Sequence, residues 1–134
     1  MRPPAVTAIV LNWSNYDVTA NCLRSLLRSN YGNLSILLVD NASPDDSFER
    51  LRASFPEIES LQTGENIGYA GGNNRGIEQV LEGPAEYVLI LNNDTVLESQ
   101  AIHELVNVAK KKGQRAGGVV PKILYYDDPD RIWY

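Results

Sequence analysis

Short, nearly unbroken apolar runs alternate along this chain with stretches whose apolar residues recur at helical spacing. Ala5 to Leu11 is rich in β-branched and aliphatic residues, the pattern of a strand covered on both faces. Asp17 can cap a helix in which Val18, Cys22, Leu23, Leu26 and Leu27 share one face, and the turn residues Asn30 to Asn33 end it. Leu34 to Val39 reads as a second buried strand, closed by Asp40. Ser43-Pro44-Asp45-Asp46 reads as a helix start: Ser43 at the N-cap, Pro44 at the first helical position, acids toward the positive end of the dipole. Phe48, Leu51 and Phe55 continue that helix. Ile58 to Thr63 predicts a weak third strand, Tyr87 to Leu91 a strong fourth, and Gly117 to Tyr125 is predicted to contain a fifth. Ala101, Ile102, Leu105, Val106 and Ala109 mark an amphipathic helix, with Lys110 to Lys112 complementing its dipole and Gly113 as its C-cap. Alternating strands and helices predict an α/β fold, a central, mostly parallel sheet flanked by helices with right-handed crossovers.

Length and charge narrow the function. A chain of 134 residues builds one domain, and 43% hydrophobic with 22% charged residues is a globular composition. The net charge of −5 supplies no positive field for a phosphate backbone, so nucleic acid is not expected as a partner. A lone cysteine, Cys22, forms no internal disulfide and sits among leucines as a small apolar residue. The run Ala5 to Leu11 is too short for a signal peptide's apolar core or a bilayer span, which predicts a cytoplasmic domain without a transmembrane segment. His103, inside the last helical stretch, reads as a surface or partly packed residue.

In parallel α/β sheets ligands bind beyond the carboxyl ends of the strands, so those junctions hold the candidate chemistry. After the first strand, Asn12 to Asp17 contains no glycine, which argues against a dinucleotide fold, and no phosphate-loop motif occurs elsewhere. Asp40, after the second strand, is an acceptor that could select a base with a ring N–H, as in uracil or thymine, or could be a solvated or capping residue. Gly68, Gly71 and Gly72 begin a loop that either approaches a phosphate or ribose or allows a tight helix-to-sheet contact. Asp94, after the fourth strand and flanked by Asn92 and Asn93, suits Mg²⁺ or Mn²⁺ completed by water and a diphosphate, or the N-cap of the next helix.

Four segments in order, Val6 to Trp13, Ile36 to Ser43, Glu65 to Asn73 and Leu91 to Asp94, resemble the inverting glycosyltransferases of family 2, most closely the rhamnosyltransferase-like branch. The resemblance implies the Rossmann-like GT-A fold, a UDP- or dTDP-linked sugar donor, a saccharide acceptor and a role in cell-surface polysaccharide biosynthesis. It further implies that Asp40 contacts the base, that Asn12, Asn66, Gly71, Gly72, Asn73 and Asn92 serve the nucleotide site, and that Asp94 binds the metal. The family's Asp-x-Asp motif here begins with Asn92. Family members continue past Tyr134 into an acceptor-binding half that carries the general base, so this chain reads as a truncated, nucleotide-binding portion with no catalytic residue of its own. Asp127, Asp128 and Asp130 have the composition of a solvated turn. A non-catalytic nucleotide-sugar-binding or assembly module with vestigial motifs is the alternative. Apolar residues near Ile132, Trp133 and Tyr134 predict a homo-oligomer.

Overall fold

The computed structural model describes residues 2–113 and 117–133. In chain order its elements are β1 (Val6–Asn12), α1 (Tyr16–Leu27), β2 (Leu34–Asp40), α2 (Ser47–Ser54), β3 (Glu59–Gln62), α3 (Gly68–Leu81), β4 (Tyr87–Asn92) and α4 (Ala101–Lys112). The four strands form one sheet in the order β3-β2-β1-β4, and every pairing is parallel. β1 lies in the interior, where its apolar run is useful on both faces. Val6, Ala8 and Val10 pack with Ile36 and Leu38 against α1, α2 and α4, while Ile9 and Leu11 pack with Leu37 and Val39 beneath Val80 of α3. Register aligns the strand ends: Asn12 lies opposite Asp40, Asp40 opposite Gln62, and Leu11 opposite Asn92. Polar residues that are far apart in sequence therefore share one edge of the sheet.

The glycines near the start of α3 lie within the helix, and two of them let it settle on the sheet. A Cβ at Gly72 would come within 2.5 Å of Leu11 Cδ1, and one at Gly76 within 2.9 Å of both Ile9 Cγ2 and Val39 Cγ2. Of the two readings of this motif, close helix-to-sheet packing is the one these contacts explain. β4 occupies an edge, and its Val88 and Ile90 remain 38% and 46% exposed on the face that α3 only partly covers.

Two expected boundaries and one expected strand differ. Asn15, not Asp17, caps α1: it adopts φ 66°, which asparagine tolerates better than most residues, and its Oδ1 accepts the Val18 N–H. α2 starts at Ser47 rather than at Pro44, because the Ser43 hydroxyl is drawn into bonds with Asp40 and Asn12 and is not free to cap. Asp45 instead accepts the N–H groups of Asn15 and Ser47, and with the Ser47 hydroxyl foremost these bonds hold its carboxyl below the ordinary value. The expected fifth strand is not formed among residues 117–133. That segment folds on itself, with Trp133 N–H to Ile123 O, Tyr125 N–H to Arg131 O and a single antiparallel bridge between Leu124 and Ile132. From Ile123 onward its backbone pairs with itself rather than with the sheet. Ile132 and Trp133 are exposed, and Tyr134 lies outside the described residues.

Candidate functional site

A cleft of about 480 Å³ opens at the strand ends, between the ends of β1 and β4 and the beginning of α3. Leu11 and Trp13 follow β1 along it, Asn41 comes from the end of β2, Asn66, Gly68 and Tyr69 lead into α3, and Asn92, Asn93 and Asp94 leave β4. A larger groove of about 920 Å³ lies around Thr7, Ser35, Glu59 and Gln79. It reaches none of the strand-end residues, so the smaller cleft is the candidate site.

Beside the cleft is a buried polar cluster with Asp40 at its centre. Asp40 is fully buried, and its four lone-pair positions are all taken. Oδ1 accepts from Asn12 Nδ2 at 2.8 Å and from the Ser43 hydroxyl at 2.5 Å; Oδ2 accepts from Ser43 N–H and Gln62 Nε2, both at 3.0 Å. The base contact expected of Asp40 is not available in this arrangement, because no acceptor capacity is left for a ring N–H. Asn12 is likewise fully buried: Nδ2 faces Asp40, Ser43 and Ser47, and Oδ1 accepts the Thr19 hydroxyl at 2.7 Å. Both residues build the floor of the site and do not line it.

Asn41 joins this floor to the cleft wall. Its Nδ2 donates to Asn66 Oδ1 at 2.9 Å and to Gly68 O at 3.2 Å, and its Oδ1 accepts the Ile67 N–H at 3.1 Å. Gly68 sits at φ 77°, which favours glycine, so the chain can turn sharply into α3. Asn66 is exposed, and its Oδ1 is held by Asn41 and by Gly68 N–H. On the other side Tyr69, the second residue of α3, donates its hydroxyl to Asn92 Oδ1. Trp13 and Tyr69 are 55% and 57% exposed, aromatic faces on which a base could stack.

Asp94 is exposed on the cleft rim and accepts no hydrogen bond from the described residues. The N-cap reading fails, since α4 begins at Ala101 with Gln100 in the capping place. The donor set fits a hard cation of the Mg²⁺ or Mn²⁺ type: one carboxylate with amide oxygens beside it. Among the described residues no three His, Cys, Asp or Glu side chains cluster, so water and phosphate oxygens would have to complete such a site. Cys22 lies behind it, its thiol pKa pushed up to about 12, first by burial, then by the Asp94 charge, and lowered somewhat by the Thr95 backbone.

The fold thus brings Asn66, Asn92 and Asp94 together around the cleft. Gly71, Gly72 and Asn73 do not line it: Gly72 packs on Leu11, Gly71 lies against Ile67, and Asn73 is buried with its Nδ2 on Tyr69 O. Sequence reasoning missed Trp13, which ends the first recognised segment, and Thr19, Asn41, Gln62, Tyr69 and Asn93 as site residues. Gln62 could have been found from strand register, and Asn41, Tyr69 and Asn93 from their place inside the recognised segments. Nothing in the pattern marks Thr19, a helical residue among apolar neighbours.

Residues 7–134 match the model of the family described as glycosyl transferase family 2. The glycosyltransferase GlyG of Streptococcus pneumoniae is 29% identical over 133 residues, 97% of this chain and 42% of that protein. The N-acetylglucosaminyl-diphospho-decaprenol L-rhamnosyltransferase of Mycobacterium tuberculosis is 33% identical over 120 residues, 84% of this chain and 38% of that protein. This chain therefore spans about two fifths of the length of these relatives. Among solved structures, the mannosyltransferase PcManGT of Pyrobaculum calidifontis, in complex with GDP-Man and Mn²⁺, superposes with a TM-score of 0.72 at 21% identity, over 91% of this chain and 36% of that one. TarS of S. aureus in complex with UDP-GlcNAc superposes at 0.69 and 15% identity, over 92% of this chain and 41% of that one. These likenesses show the GT-A fold.

Proposed function

Because this chain belongs to glycosyl transferase family 2, we propose that its strand-end cleft holds the nucleoside diphosphate of a UDP- or dTDP-linked sugar, the donor for inverting transfer to a saccharide acceptor. The observation that carries this reading is the convergence, around one cleft, of two exposed aromatic faces, Trp13 and Tyr69, with the free carboxylate of Asp94. Stacking on an aromatic face supports a base of any sequence, and a carboxylate at the rim supports a diphosphate through a divalent cation. The preference for uridine or thymidine rests on the family resemblance alone, since Asp40 is saturated. The two relatives named above and the solved neighbours, which are held with GDP-Man or UDP-GlcNAc, agree with donor binding.

Asn66 and Asn92 would flank the donor, and Asp94 would hold Mg²⁺ or Mn²⁺, which when bound supplies positive charge to the leaving diphosphate. Asp94 is the only carboxylate lining the cleft among the described residues, and once on the cation it cannot also take a proton from an acceptor hydroxyl. Asp127, Asp128 and Asp130 are exposed in the turn after α4 and do not line the cleft. We therefore expect this chain by itself to bind donor without efficient transfer. Calorimetry with UDP, dTDP, GDP and ADP, with and without Mn²⁺, tests the proposal. UDP or dTDP should bind, more tightly with Mn²⁺, and Asp94→Asn should abolish the Mn²⁺ gain while leaving melting temperature and metal-free binding nearly unchanged. Failure to bind any of the four would leave the assembly-module reading.

A further inference from the structure

The polar floor of the cleft has a direction that follows from its chemistry. A carboxylate only accepts, so Asp40 obliges Asn12 to turn its Nδ2 inward, at 2.8 Å. Asn12 Oδ1 must then face Thr19, whose hydroxyl donates its one proton to it at 2.7 Å. With that proton spent, Thr19 Oγ1 can only accept, and it takes Asn93 Nδ2 at 2.8 Å. Thr19 is fully buried, so no water competes for this position. Each amide along the relay is thereby set, from the buried anion outward to the turn that precedes Asp94.

Asn93 Oδ1 is the group at the outer end. It accepts no hydrogen bond from the described residues and is not among their buried atoms that lack a partner, so it is open to solvent in a residue that lines the cleft. We infer that Thr19 is a positioning residue for the cation site: it holds the Asn93 amide with its oxygen outward beside Asp94, giving a divalent cation on a nucleoside diphosphate a second protein oxygen. An amide oxygen is a hard donor suited to Mg²⁺ or Mn²⁺, whereas the same amide reversed would present an NH₂ group to the cation. This inference rests on the function proposed above and adds to it the means by which a buried carboxylate orients a surface ligand.

Thr19→Val keeps the side-chain shape and deletes the relay, and Thr19→Ser keeps the hydroxyl. The ratio of UDP affinities measured by calorimetry with and without Mn²⁺ should fall about three- to tenfold in Thr19→Val and stay near that of the unmodified chain in Thr19→Ser. A merely structural Thr19 would lower the melting temperature of Thr19→Val and leave that ratio unchanged, which would overturn the inference. Should Thr19→Val not fold, Asn93→Ala removes the oxygen directly, and an unaltered ratio there overturns it equally. Nuclear magnetic resonance of the metal-free chain reads the orientation separately. The Asn93 side-chain amide should exchange slowly in the unmodified protein and quickly in Thr19→Val, and fast exchange in both overturns the relay. Absence of UDP binding by the unmodified chain would refute the proposed function and the ligand role, while the amide signals still decide the relay.

Discussion

Replacing Asp40 by Asn separates a structural carboxylate from a base-reading one. The change turns one oxygen into an NH₂ donor at a position where both oxygens already accept two hydrogen bonds each. If the new NH₂ takes the Oδ1 place, it faces the Ser43 hydroxyl, whose oxygen already accepts from Asn12 and from the Ser14 N–H, and Asn12 Nδ2, which cannot reverse without losing Thr19. If it takes the Oδ2 place, Gln62 can reverse its amide, but the Ser43 backbone N–H cannot. Either way at least one fixed, buried donor is stranded and one charge-assisted bond is lost. These cost about 1 to 3 and about 1.5 to 3 kcal/mol respectively. Burying a neutral amide in place of an anion recovers part of this, leaving roughly 2 to 5 kcal/mol, a large share of a typical 5 to 15 kcal/mol total. For a domain of this size that corresponds to a fall in Tm of roughly 6 to 20 °C. Urea and thermal unfolding followed by circular dichroism would measure it, and calorimetry below the transition, with no divalent metal present, would measure UDP affinity, which should change less than about threefold. An unchanged Tm together with a tenfold or greater loss of affinity would refute the structural assignment and restore Asp40 as a base contact.

Gly76→Ala gains about 0.8 to 1.0 kcal/mol in helix propensity but forces a methyl group against Ile9 and Val39, β-branched residues of the two inner strands, an overpacking worth about 1 to 3 kcal/mol. The expected result is a net loss of roughly 1 kcal/mol in urea unfolding, whereas Gly71→Ala, which meets only the side chain of Ile67, should be neutral or stabilising; a raised midpoint for Gly76→Ala would show that the helix does not press on the sheet there. Because burial raises the Cys22 thiol to about 12 from an ordinary value of 9.0, its contribution to stability is complete below the unfolded-state pKa and is lost as pH rises from about 9 toward 12. Cys22→Ala should therefore flatten the alkaline limb of the stability profile, and in the native protein at pH 8 a thiol reagent should react only at the rate of unfolding.

The order of the elements and the parallel sheet were legible in the chain because they depend on local properties. A strand buried on both faces needs a continuous apolar run, and Val6 to Leu11 and Ile36 to Val39 have one wherever they end up in space. That the strand-end residues would meet at one edge was legible as well, since parallel strands bring their carboxyl ends together. Roles within the site were decided by tertiary structure. Asp40 looked like an exposed acceptor until strand register set it beside Asn12 and Gln62 and loop geometry brought Ser43 onto it, so that its charge is spent inside the protein. Gly72 and Gly76 carry no sign in their own neighbourhood of whether backbone approaches a phosphate or a helix approaches a sheet; the distance to Leu11, Ile9 and Val39 settles it. Thr19 had no local signal at all, because a hydroxyl's function depends on which donors and acceptors the fold delivers to it, and these come from β1 and from the turn after β4, far away in sequence. Hydrophobic periodicity is a one-dimensional property that survives in the unfolded chain, whereas the pairing of donors with acceptors exists only after the strands have met.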